Sequence, residues 1–269
     1  MKKMNKRFCQ AGSSHIWLRQ NNEAQLCCSL AHSVDDHMIK LEKTEDFFSL
    51  ITSKQWTKKY RQLKKGPLSD GLCNICLTED QKNNGSQRKK LKNETLNGSK
   101  FFLKIDFSNK CNLKCTMCSS ARSTAWIKDE QKINNLVTDP VLQVPVFPYE
   151  TLDDKWWEKI PLEWWKNLGA VEISGGEPLY QKEALDFIDF LSVNVPTCRL
   201  RIITNATLID DKILSILNCF DNIGFICSVD AWEDNIYRYV RGDNYGIDVV
   251  KENITELFKM VKTKELGRI

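Results

Sequence analysis

Phe101-Phe-Leu-Lys-Ile-Asp-Phe-Ser-Asn-Lys-Cys111-Asn-Leu-Lys-Cys115-Thr-Met-Cys118 is the stretch on which the interpretation of the whole chain depends. Its first seven residues place Phe101, Leu103, Ile105 and Phe107 on one face and predict a β-strand. Directly after it comes a Cys-x-x-x-Cys-x-x-Cys loop, whose three thiolates could each bind one iron of a cubane cluster and leave the fourth iron open. A structural zinc site usually has four protein ligands, so the spacing favours an iron–sulfur cluster and leaves zinc as the alternative.

A second motif, Ser174-Gly175-Gly176-Glu177-Pro178, follows the next predicted strand. Two glycines allow the backbone to come close to a ligand, and Glu177 offers a carboxylate to an ammonium group. Pro178 suits the first turn of a following helix. Taken alone, the motif could equally be an ordinary strand-to-helix turn.

Strands and helices alternate in the chain beyond residue 98. Besides 101–107, strands are predicted over 170–174, 199–204 and 223–229. Apolar residues at helical spacing follow each strand and predict helices over 120–136, 185–191, 213–217 and 247–261. This alternation is typical of parallel βαβ units and predicts an α/β fold of four units, as an open sheet or part of a barrel. In such folds the active site lies at the carboxyl ends of the strands, where both motifs are found.

Three other segments have simpler interpretations. The apolar spacing over 44–65 predicts a helix, and the three prolines of 139–148 predict an irregular segment. Four tryptophans cluster at 156–157 and 164–165, which is more typical of a local core than of a substrate-binding wall.

Composition excludes several classes of protein. The sequence is 42% hydrophobic and 28% charged, as in globular domains, and no apolar run approaches the roughly 20 residues that span a bilayer. The basic N-terminus is not followed by an apolar signal-peptide stretch, so we expect a cytoplasmic protein without a membrane span. In a reducing compartment, clustered cysteines indicate metal binding or catalysis rather than disulfides. Three of the eleven cysteines stand alone in apolar segments and are expected to be small buried residues: Cys198, Cys219 and Cys227.

The net charge of +4 is modest. The basic runs at 54–65 and 87–92 are interpreted as a solvated helix face and a polar connector. A basic surface for an acidic peptide or a nucleic acid is the alternative, and no defined nucleic-acid-binding module is found.

Taken together, CxxxCxxC after one strand and GGE after the next resemble the radical S-adenosylmethionine (radical SAM) superfamily. The resemblance implies that the open iron of a [4Fe–4S] cluster on Cys111, Cys115 and Cys118 chelates S-adenosylmethionine. An electron from a donor such as a flavodoxin or ferredoxin then cleaves the cofactor to a 5′-deoxyadenosyl radical, which abstracts hydrogen from a substrate. It also implies a set of cofactor-binding residues: Met117, Ser174, Gly175, Gly176, Glu177, Thr204, Asn205, Ser228, Asp230 and Arg241, with Arg238 as the alternative to Arg241.

The N-terminal cysteines resemble the auxiliary-cluster segment of twitch or SPASM-like radical SAM proteins. By that resemblance Cys9, Cys27, Cys73 and Cys76 would bind a second cluster, with Cys28 as the alternative to Cys27. A four-cysteine zinc site is the alternative. His15, His32 and His37 could replace a thiolate but are expected to be lone surface histidines. We therefore predict a cysteine-rich auxiliary region over 1–98 and a radical SAM core over 99–269 that forms a partial (β/α) barrel of about four βα units.

Radical SAM cores of this kind have six βα units, whereas four can be counted here. We expect a fragment, a subunit that needs a partner chain, or a reduced version of the fold. Auxiliary-cluster members often act on peptides, which suggests a peptide or protein side chain as the substrate. The alternative functions are a non-catalytic iron–sulfur or zinc-binding protein and, least favoured, a basic nucleic-acid binder.

Overall fold

A computed structural model describes residues 9, 15–27, 38–65, 73–82, 85–86 and 101–261. Seven strands form one sheet in the order β3-β2-β1-β4-β5-β6-β7. The order ends at β3 and β7, so the sheet described is open, and the predicted α/β fold is confirmed. The strands are β1 His15–Arg19, β2 Glu23–Gln25, β3 Ile39–Lys40, β4 Phe101–Asp106, β5 Leu168–Ser174, β6 Arg199–Thr204 and β7 Asn222–Cys227.

The described residues form nine α-helices, and those that follow β4–β7 continue the strand–helix alternation expected from the sequence. The helices are α1 Phe47–Ile51, α2 Lys54–Lys65, α3 Asn74–Gln81, α4 Ile127–Leu136, α5 Leu162–Trp165, α6 Lys182–Asn194, α7 Asp211–Leu217, α8 Asp234–Arg241 and α9 Ile247–Met260. No helix among these is long and apolar enough to cross a bilayer.

The chain divides into two compact units. The first consists of the described residues in 1–18, 22–104 and 156–170, and the second of those in 19–21, 105–155 and 171–261. The division differs from the sequence-based boundary at 98–99 because residues 156–170 belong to the first unit. This segment carries the four tryptophans.

The core of the first unit is aromatic. Trp156, Trp157 and Trp165 are almost fully buried, and the ring of Trp164 lies 4.1 Å from that of Phe101. The prediction that these tryptophans form a local core is confirmed. Trp165 Nε1 donates to the Trp157 carbonyl oxygen at 3.1 Å, which satisfies the polar end of one indole inside the core.

Two features of the first unit were not predicted. The three short strands β1–β3 were missed, and β2 pairs antiparallel with β3, with Glu23 opposite Lys40. The single helix expected over 44–65 is instead a 3₁₀ turn followed by α1 and α2. The break occurs where Thr52 Oγ1 donates to the Phe48 carbonyl oxygen at 2.8 Å and Ser53 Oγ accepts from Trp56 N at 3.1 Å, so hydroxyl groups end one helix and cap the next.

The second unit holds the strand–helix units that follow the cysteine motif. Strands β6 and β7 are parallel over six residue pairs, from Arg199–Asn222 to Thr204–Cys227. Along β6 buried and half-buried residues alternate, as expected for period-2 side-chain placement. Helix α6 buries Ala184, Phe187, Ile188 and Leu191 at helical spacing.

Some sequence-based boundaries in the second unit were wrong. The helix expected over 120–136 begins only at Ile127, because Ser123 is extended and its hydroxyl donates to the Leu113 carbonyl oxygen at 2.6 Å. Segment 139–148 has only one 3₁₀ turn, Pro140–Leu142, as its prolines predict. Cys198 is buried as expected, but Cys219 is exposed after α7, and Cys227 is half-buried.

Candidate functional site

The site is built on the cysteine loop, which we define as residues 111–118. It directly follows β4 and contains no helix or strand. Cys115 is buried, Cys111 and Cys118 are half-buried, and none of the three forms a disulfide. Burial raises the pKa of Cys111 to about 12 and also raises that of Cys118. Thiols that stay protonated must lose protons when they bind a metal, so metal binding is expected to be pH-dependent.

The three thiols of the cysteine loop do not form a site for a single metal ion. In the part of the chain that the structure describes, no three His, Cys, Asp or Glu side chains are grouped around a single metal-ion position. A cubane cluster does not require such grouping, because each thiolate binds a different iron.

The two ends of the cysteine loop are joined by Asn109, which is fully buried. Its Nδ2 donates to the carbonyl oxygens of Ser120 at 2.9 Å and Pro148 at 2.7 Å, and its Oδ1 accepts from Glu150 N at 3.0 Å. On the far side of the loop, Glu130 Oε1 accepts from Ser120 N at 2.9 Å. The loop therefore starts and ends at fixed positions.

Inside the loop, carbonyl oxygens accept hydrogen bonds from residues near α4. Ser123 Oγ donates to the Leu113 carbonyl oxygen at 2.6 Å, and Trp126 Nε1 donates to that of Cys115 at 3.0 Å. Thr116 N donates in turn to the Val240 carbonyl oxygen in α8 at 2.8 Å. The loop is therefore bonded to elements that follow β4 and β7.

The glycines of the GGE motif bring the chain after β5 against the segment that precedes Cys111. Gly176 N donates to the Ser108 carbonyl oxygen at 2.8 Å and Glu177 N to that of Lys110 at 2.9 Å. A Cβ on Gly176 would lie 2.1 Å from the Lys110 oxygen, and Gly175 has φ +119°. The glycines were expected to approach a ligand, whereas in the structure they approach the backbone of residues 108–110.

Glu177 joins the carboxyl ends of β5 and β6. Its carboxylate is about 1% exposed and accepts from Thr204 Oγ1 at 2.7 Å, from Asn205 N at 2.6 Å and from Leu179 N at 3.1 Å. Burial raises its pKa to about 7, although the three hydrogen bonds act in the opposite direction.

A ring of hydrogen bonds connects the cysteine loop with the residues after β6. Asn112 Nδ2 donates to Thr207 Oγ1 at 2.8 Å, Thr207 Oγ1 donates to Asn205 Oδ1 at 2.7 Å, and Asn205 Nδ2 donates to Asn112 Oδ1 at 2.9 Å. Each of the three side chains donates one hydrogen bond and accepts one within the ring, so the bonds polarise one another. Ala206 stands between Asn205 and Thr207 with φ +57°, which for a non-glycine residue is a strained conformation held by its surroundings.

A buried carboxylate at the end of β4 orients Ser174. Asp106 is fully buried; it accepts a short hydrogen bond from Ser174 Oγ and pairs with Arg122 at 3.0 Å. Ser174 is thus bonded to the strand that leads into the cysteine loop.

Beyond β7, Arg241 contacts both the cysteine loop and Asp230, another predicted cofactor residue. Its Nη1 lies 3.6 Å from Cys115 Sγ and its Nη2 lies 2.5 Å from Asp230 Oδ2. Asp230 has φ +50°, and Ser228 N donates to the Thr204 carbonyl oxygen at 2.8 Å. Arg238, the alternative arginine, instead pairs with Asp234 at 2.7 Å on the surface.

Several polar atoms beside the loop fit a bound anionic group. Tyr237 Oη and Arg241 Nε are buried and have no hydrogen-bond partner among the residues that the structure describes. Both belong to α8, and the electrostatic surroundings of Tyr237 include Cys115, Arg241 and Asp230. Unsatisfied buried donors are costly, and both belong to the helix whose Arg241 contacts Cys115, so they fit a site that binds an anionic group. Met117 is 60% exposed and is therefore accessible to a cofactor.

The predicted auxiliary residues lie in the first unit. Cys9, Cys27 and Cys76 are buried and Cys73 is half-buried, but the described residues include no group of three that could ligate one metal ion. Cys28, His32 and His37 lie outside the described residues. His15 was expected at the surface but is buried, and its ring stacks on Phe102 at 4.6 Å.

Sequence reasoning missed residues that hold the site rather than form it: Asp106, Asn109, Asn112, Gln181 and Thr207. Gln181 is an example, since its Nε2 donates to the carbonyl oxygens of Ser108 at 3.0 Å and Lys110 at 2.8 Å. The signal that could have found most of them is position, since polar residues directly after a predicted strand lie at its carboxyl end.

The described fold is similar to crystal structures of Streptococcus suis SuiB. The crystal structure of Streptococcus suis SuiB bound to the precursor peptide SuiA is 17% identical with a TM-score of 0.40, over 94% of this chain and 54% of that one. SuiB bound to S-adenosylmethionine is 18% identical with a TM-score of 0.40, over 92% of this chain and 52% of that one. The chain thus spans about half the length of these structures. No curated protein matches the sequence.

Family membership follows from the sequence itself. The family model described as the radical SAM superfamily matches residues 105–266, which is more than half of the 269-residue chain. The matched region contains the cysteine loop, the GGE motif and the residues after β6 and β7 that were described above. The chain belongs to the radical SAM superfamily.

Proposed function

We propose that this chain binds a [4Fe–4S] cluster through Cys111, Cys115 and Cys118 and uses it, with S-adenosylmethionine, to start a radical reaction on a substrate. The observation that carries the proposal is the cysteine loop, whose three thiols form no disulfide. Backbone and side-chain hydrogen bonds join this loop to the chain after β6 and β7, and join residues 108–110 just before it to the chain after β5. When bound, the cluster and cofactor supply the chemistry that the protein lacks: reductive cleavage to methionine and a 5′-deoxyadenosyl radical that abstracts hydrogen.

The protein's own contribution is to position the cluster and the cofactor and to exclude water from the site. Gly176 and Gln181 hold the backbone before Cys111 by hydrogen bonds to residues 108–110. Glu177 fixes the ends of β5 and β6 relative to each other. By family resemblance the cofactor would contact Met117, Ser174, Gly175, Gly176, Glu177, Thr204, Asn205, Ser228, Asp230 and Arg241. Buried acceptors and donors in this set favour a rigid and largely dry site.

We also retain the auxiliary cluster as part of the proposal, on Cys9, Cys27, Cys73 and Cys76. The burial of three of these four residues supports it, since thiolate ligands of a cluster are shielded from water. Anaerobic reconstitution should then give about eight irons per chain, and the Cys73→Ala, Cys76→Ala double variant about four. Zinc bound to the purified chain in their place would contradict this part of the proposal.

The finer parts of the proposal rest on the resemblance to auxiliary-cluster proteins. They are a peptide or protein side chain as the substrate, a flavodoxin or ferredoxin as the electron donor, and a cytoplasmic location in which that donor is available. Incubation of the reconstituted chain with candidate peptides, followed by mass spectrometry for a changed peptide mass, would test the substrate class.

The decisive experiment is anaerobic. The chain is reconstituted with iron and sulfide, reduced with dithionite and given S-adenosylmethionine, and 5′-deoxyadenosine is measured by chromatography. The triple Cys111, Cys115, Cys118→Ala variant should give no product. Cys219→Ala is the matched control, because Cys219 is an exposed cysteine outside the site.

Each outcome is informative. Product from the wild type and the control alone would support the radical reaction. A correctly assembled cluster without product would favour a non-catalytic protein or a subunit that needs a partner chain. A wild-type chain that binds no iron would overturn the proposal.

A further inference from the structure

Cys115 is in direct contact with a cation that also acts on Cys118. A guanidinium group, that of Arg241, lies within hydrogen-bond distance of the Cys115 sulfur, at 3.6 Å. The Arg241 residue is only 9% exposed, so water screens its charge poorly. Arginine also keeps its charge at any working pH.

A second donor comes from the same helix, four residues earlier. Tyr237 is fully buried, and its hydroxyl lacks a hydrogen-bond partner among the described residues. Side chains four residues apart lie on the same face of a helix. The two unsatisfied donors, Tyr237 Oη and Arg241 Nε, therefore lie on the face of α8 that carries the contact with Cys115.

Asp230 opposes this positive environment, and buried Glu177 also interacts with Arg241. Asp230 Oδ2 lies 2.5 Å from Arg241 Nη2, and the Asp230 side chain is 39% exposed. The left-handed backbone of Asp230, with φ +50°, aims its carboxylate at Arg241 at the point where the chain leaves β7. Cys115 therefore lies next to a buried arginine whose charge is partly offset by acidic side chains, of which Asp230 is in direct contact.

We propose that Arg241 and Tyr237 set the reduction potential of the cluster bound by the cysteine loop, and that Asp230 opposes them. The inference rests on the proposed function, because it requires the cluster. Reduction adds one electron from an external one-electron donor, breaks no bond and moves no proton, so the negative charge beside Cys115 grows by one. Hydrogen-bond donors and a cation next to a ligating sulfur stabilise the more negative state and raise the potential.

This role differs from binding the carboxylate of S-adenosylmethionine, which is the role suggested for Arg241 by family resemblance. A residue that only binds the cofactor would change the affinity for S-adenosylmethionine and leave the potential of the cofactor-free cluster unchanged. A tuning residue changes the potential when no cofactor is present.

The test is a redox titration of the reconstituted full chain without S-adenosylmethionine, followed by EPR of the reduced cluster. Arg241→Gln should lower the equilibrium constant for reduction about tenfold, which is a shift of about 59 mV to more negative potential for one electron. Tyr237→Phe should shift the potential less and in the same direction. Arg241→Lys keeps the charge but loses the planar fork, and it should lie between Arg241→Gln and the wild type.

Asp230→Asn tests the direction of the shift in reduction potential. Asparagine tolerates left-handed backbone and removes the opposing charge, so this variant should shift the potential to a more positive value. The matched control is Arg238→Gln, because Arg238 lies in the same helix but pairs with Asp234 at the surface. This control should titrate like the wild type.

Unchanged potentials in Arg241→Gln and Tyr237→Phe, with intact clusters, would overturn the inference. So would a weaker affinity of Arg241→Gln for S-adenosylmethionine with no change in potential. If Arg241→Gln fails to assemble a cluster, the other two variants decide. Shifts of the reduction potential in opposite directions in Tyr237→Phe and Asp230→Asn would support the inference, and no shift in either would overturn it. A wild-type chain that binds no cluster would instead disprove the proposed function. If the wild type forms 5′-deoxyadenosine and the reduction potentials of the variants do not change, only this inference is disproved.

Discussion

Asn109 Nδ2 donates to the Ser120 carbonyl oxygen across 2.9 Å and so connects the residues on either side of the cysteine loop. The same amide group donates to the Pro148 carbonyl oxygen, and Oδ1 accepts from Glu150 N. One buried side chain thus fixes three backbone segments. Loops are usually the least constrained part of a fold, and this contact explains how a loop without helix or strand can hold three cysteines in place.

Removal of that side chain should loosen the loop. Asn109→Ala leaves buried backbone groups without partners, and at roughly 1 kcal/mol for each lost hydrogen bond we expect a loss of about 2–4 kcal/mol in the free energy of unfolding. Urea denaturation of the ligand-free chain measures this loss, and iron content after reconstitution should fall with it. Asn194→Ala is the control, since Asn194 Nδ2 makes a single hydrogen bond, to Phe190 O at 2.8 Å, at the end of α6. Equal effects of the two variants would contradict the prediction.

A methyl group on Gly176 should be poorly tolerated. It would lie 2.1 Å from the Lys110 oxygen and 2.6 Å from its carbon, and both are backbone atoms that cannot rotate away. Gly176→Ala should therefore destabilise the chain by about 3 kcal/mol or more, measured as a drop in Tm and in the urea midpoint.

Gly224 offers a matched comparison within a strand. No atom lies within 4 Å of a Cβ built on it, and alanine costs less backbone entropy than glycine in a strand. Gly224→Ala should be neutral or stabilise the chain by up to about 1 kcal/mol. If Gly176→Ala is as stable as the wild type, the segment 108–110 must be able to move away from the added methyl group.

The buried carboxyl of Glu177 should make the stability of the ligand-free chain depend on pH. Its pKa is about 7 in the folded chain, compared with an ordinary value of 4.5. Between these values the unfolded chain is ionised and the folded chain is protonated, so the folded chain binds more protons. The contribution to stability is therefore complete below pH 4.5 and is lost as the pH rises through 7, by about 3 kcal/mol at about 1.4 kcal/mol per pKa unit.

Glu177→Gln should remove this pH dependence, because glutamine does not titrate. The measurement is urea denaturation at several pH values between 4.5 and 8. Glu163→Gln serves as control, since Glu163 is an exposed partner of Lys166 and its loss should leave the slope unchanged. A slope that survives in Glu177→Gln would assign the pH dependence to another group.

Thiol alkylation should report both burial and cluster binding. In the ligand-free chain, exposed Cys219 should react first with iodoacetamide at pH 8. Cys111 and Cys227 should react slowly, because burial raises their pKa values to about 12 and 11 and the thiolate is the reactive form.

Cluster assembly should then protect Cys111, Cys115 and Cys118 completely, and removal of the iron with a chelator should restore their slow reaction. Mass spectrometry of the digested chain gives the extent at each position. Unchanged reactivity of these three residues in the iron-loaded chain would mean that the iron is bound elsewhere.

The sequence carries a clearer signal for the candidate ligands than for the residues that support them. The ligand spacing at Cys111, Cys115 and Cys118 is local, and strands such as 199–204 carry clear period-2 patterns, so both could be recognised without tertiary information. Asn109 and Asn112 could not be assigned, because a polar residue next to a cysteine motif has the same local pattern whether it faces solvent or is buried. Their partners, Ser120 and Thr207, are 11 and 95 residues away in the chain.

The secondary structure of the first unit likewise could not be fully predicted from the sequence. Strands β2 and β3 have three and two residues, which is too short for a periodic pattern, and their pairing rather than their sequence makes them strands. His15 was expected at the surface because histidine is usually at least partly exposed, but stacking on Phe102 and a contact with the Leu26 carbonyl oxygen at 3.2 Å accommodate it in the core.

The ring formed by Asn112, Asn205 and Thr207 has a consequence for electron transfer. Its three side chains already satisfy one another, so none of them must rotate when the charge next to the loop changes. Polar groups that are fixed before a charge arrives cost little reorganisation energy, and a small reorganisation energy lets an electron arrive quickly even when the driving force is slight. For the cluster proposed above, the ring would therefore favour fast electron entry.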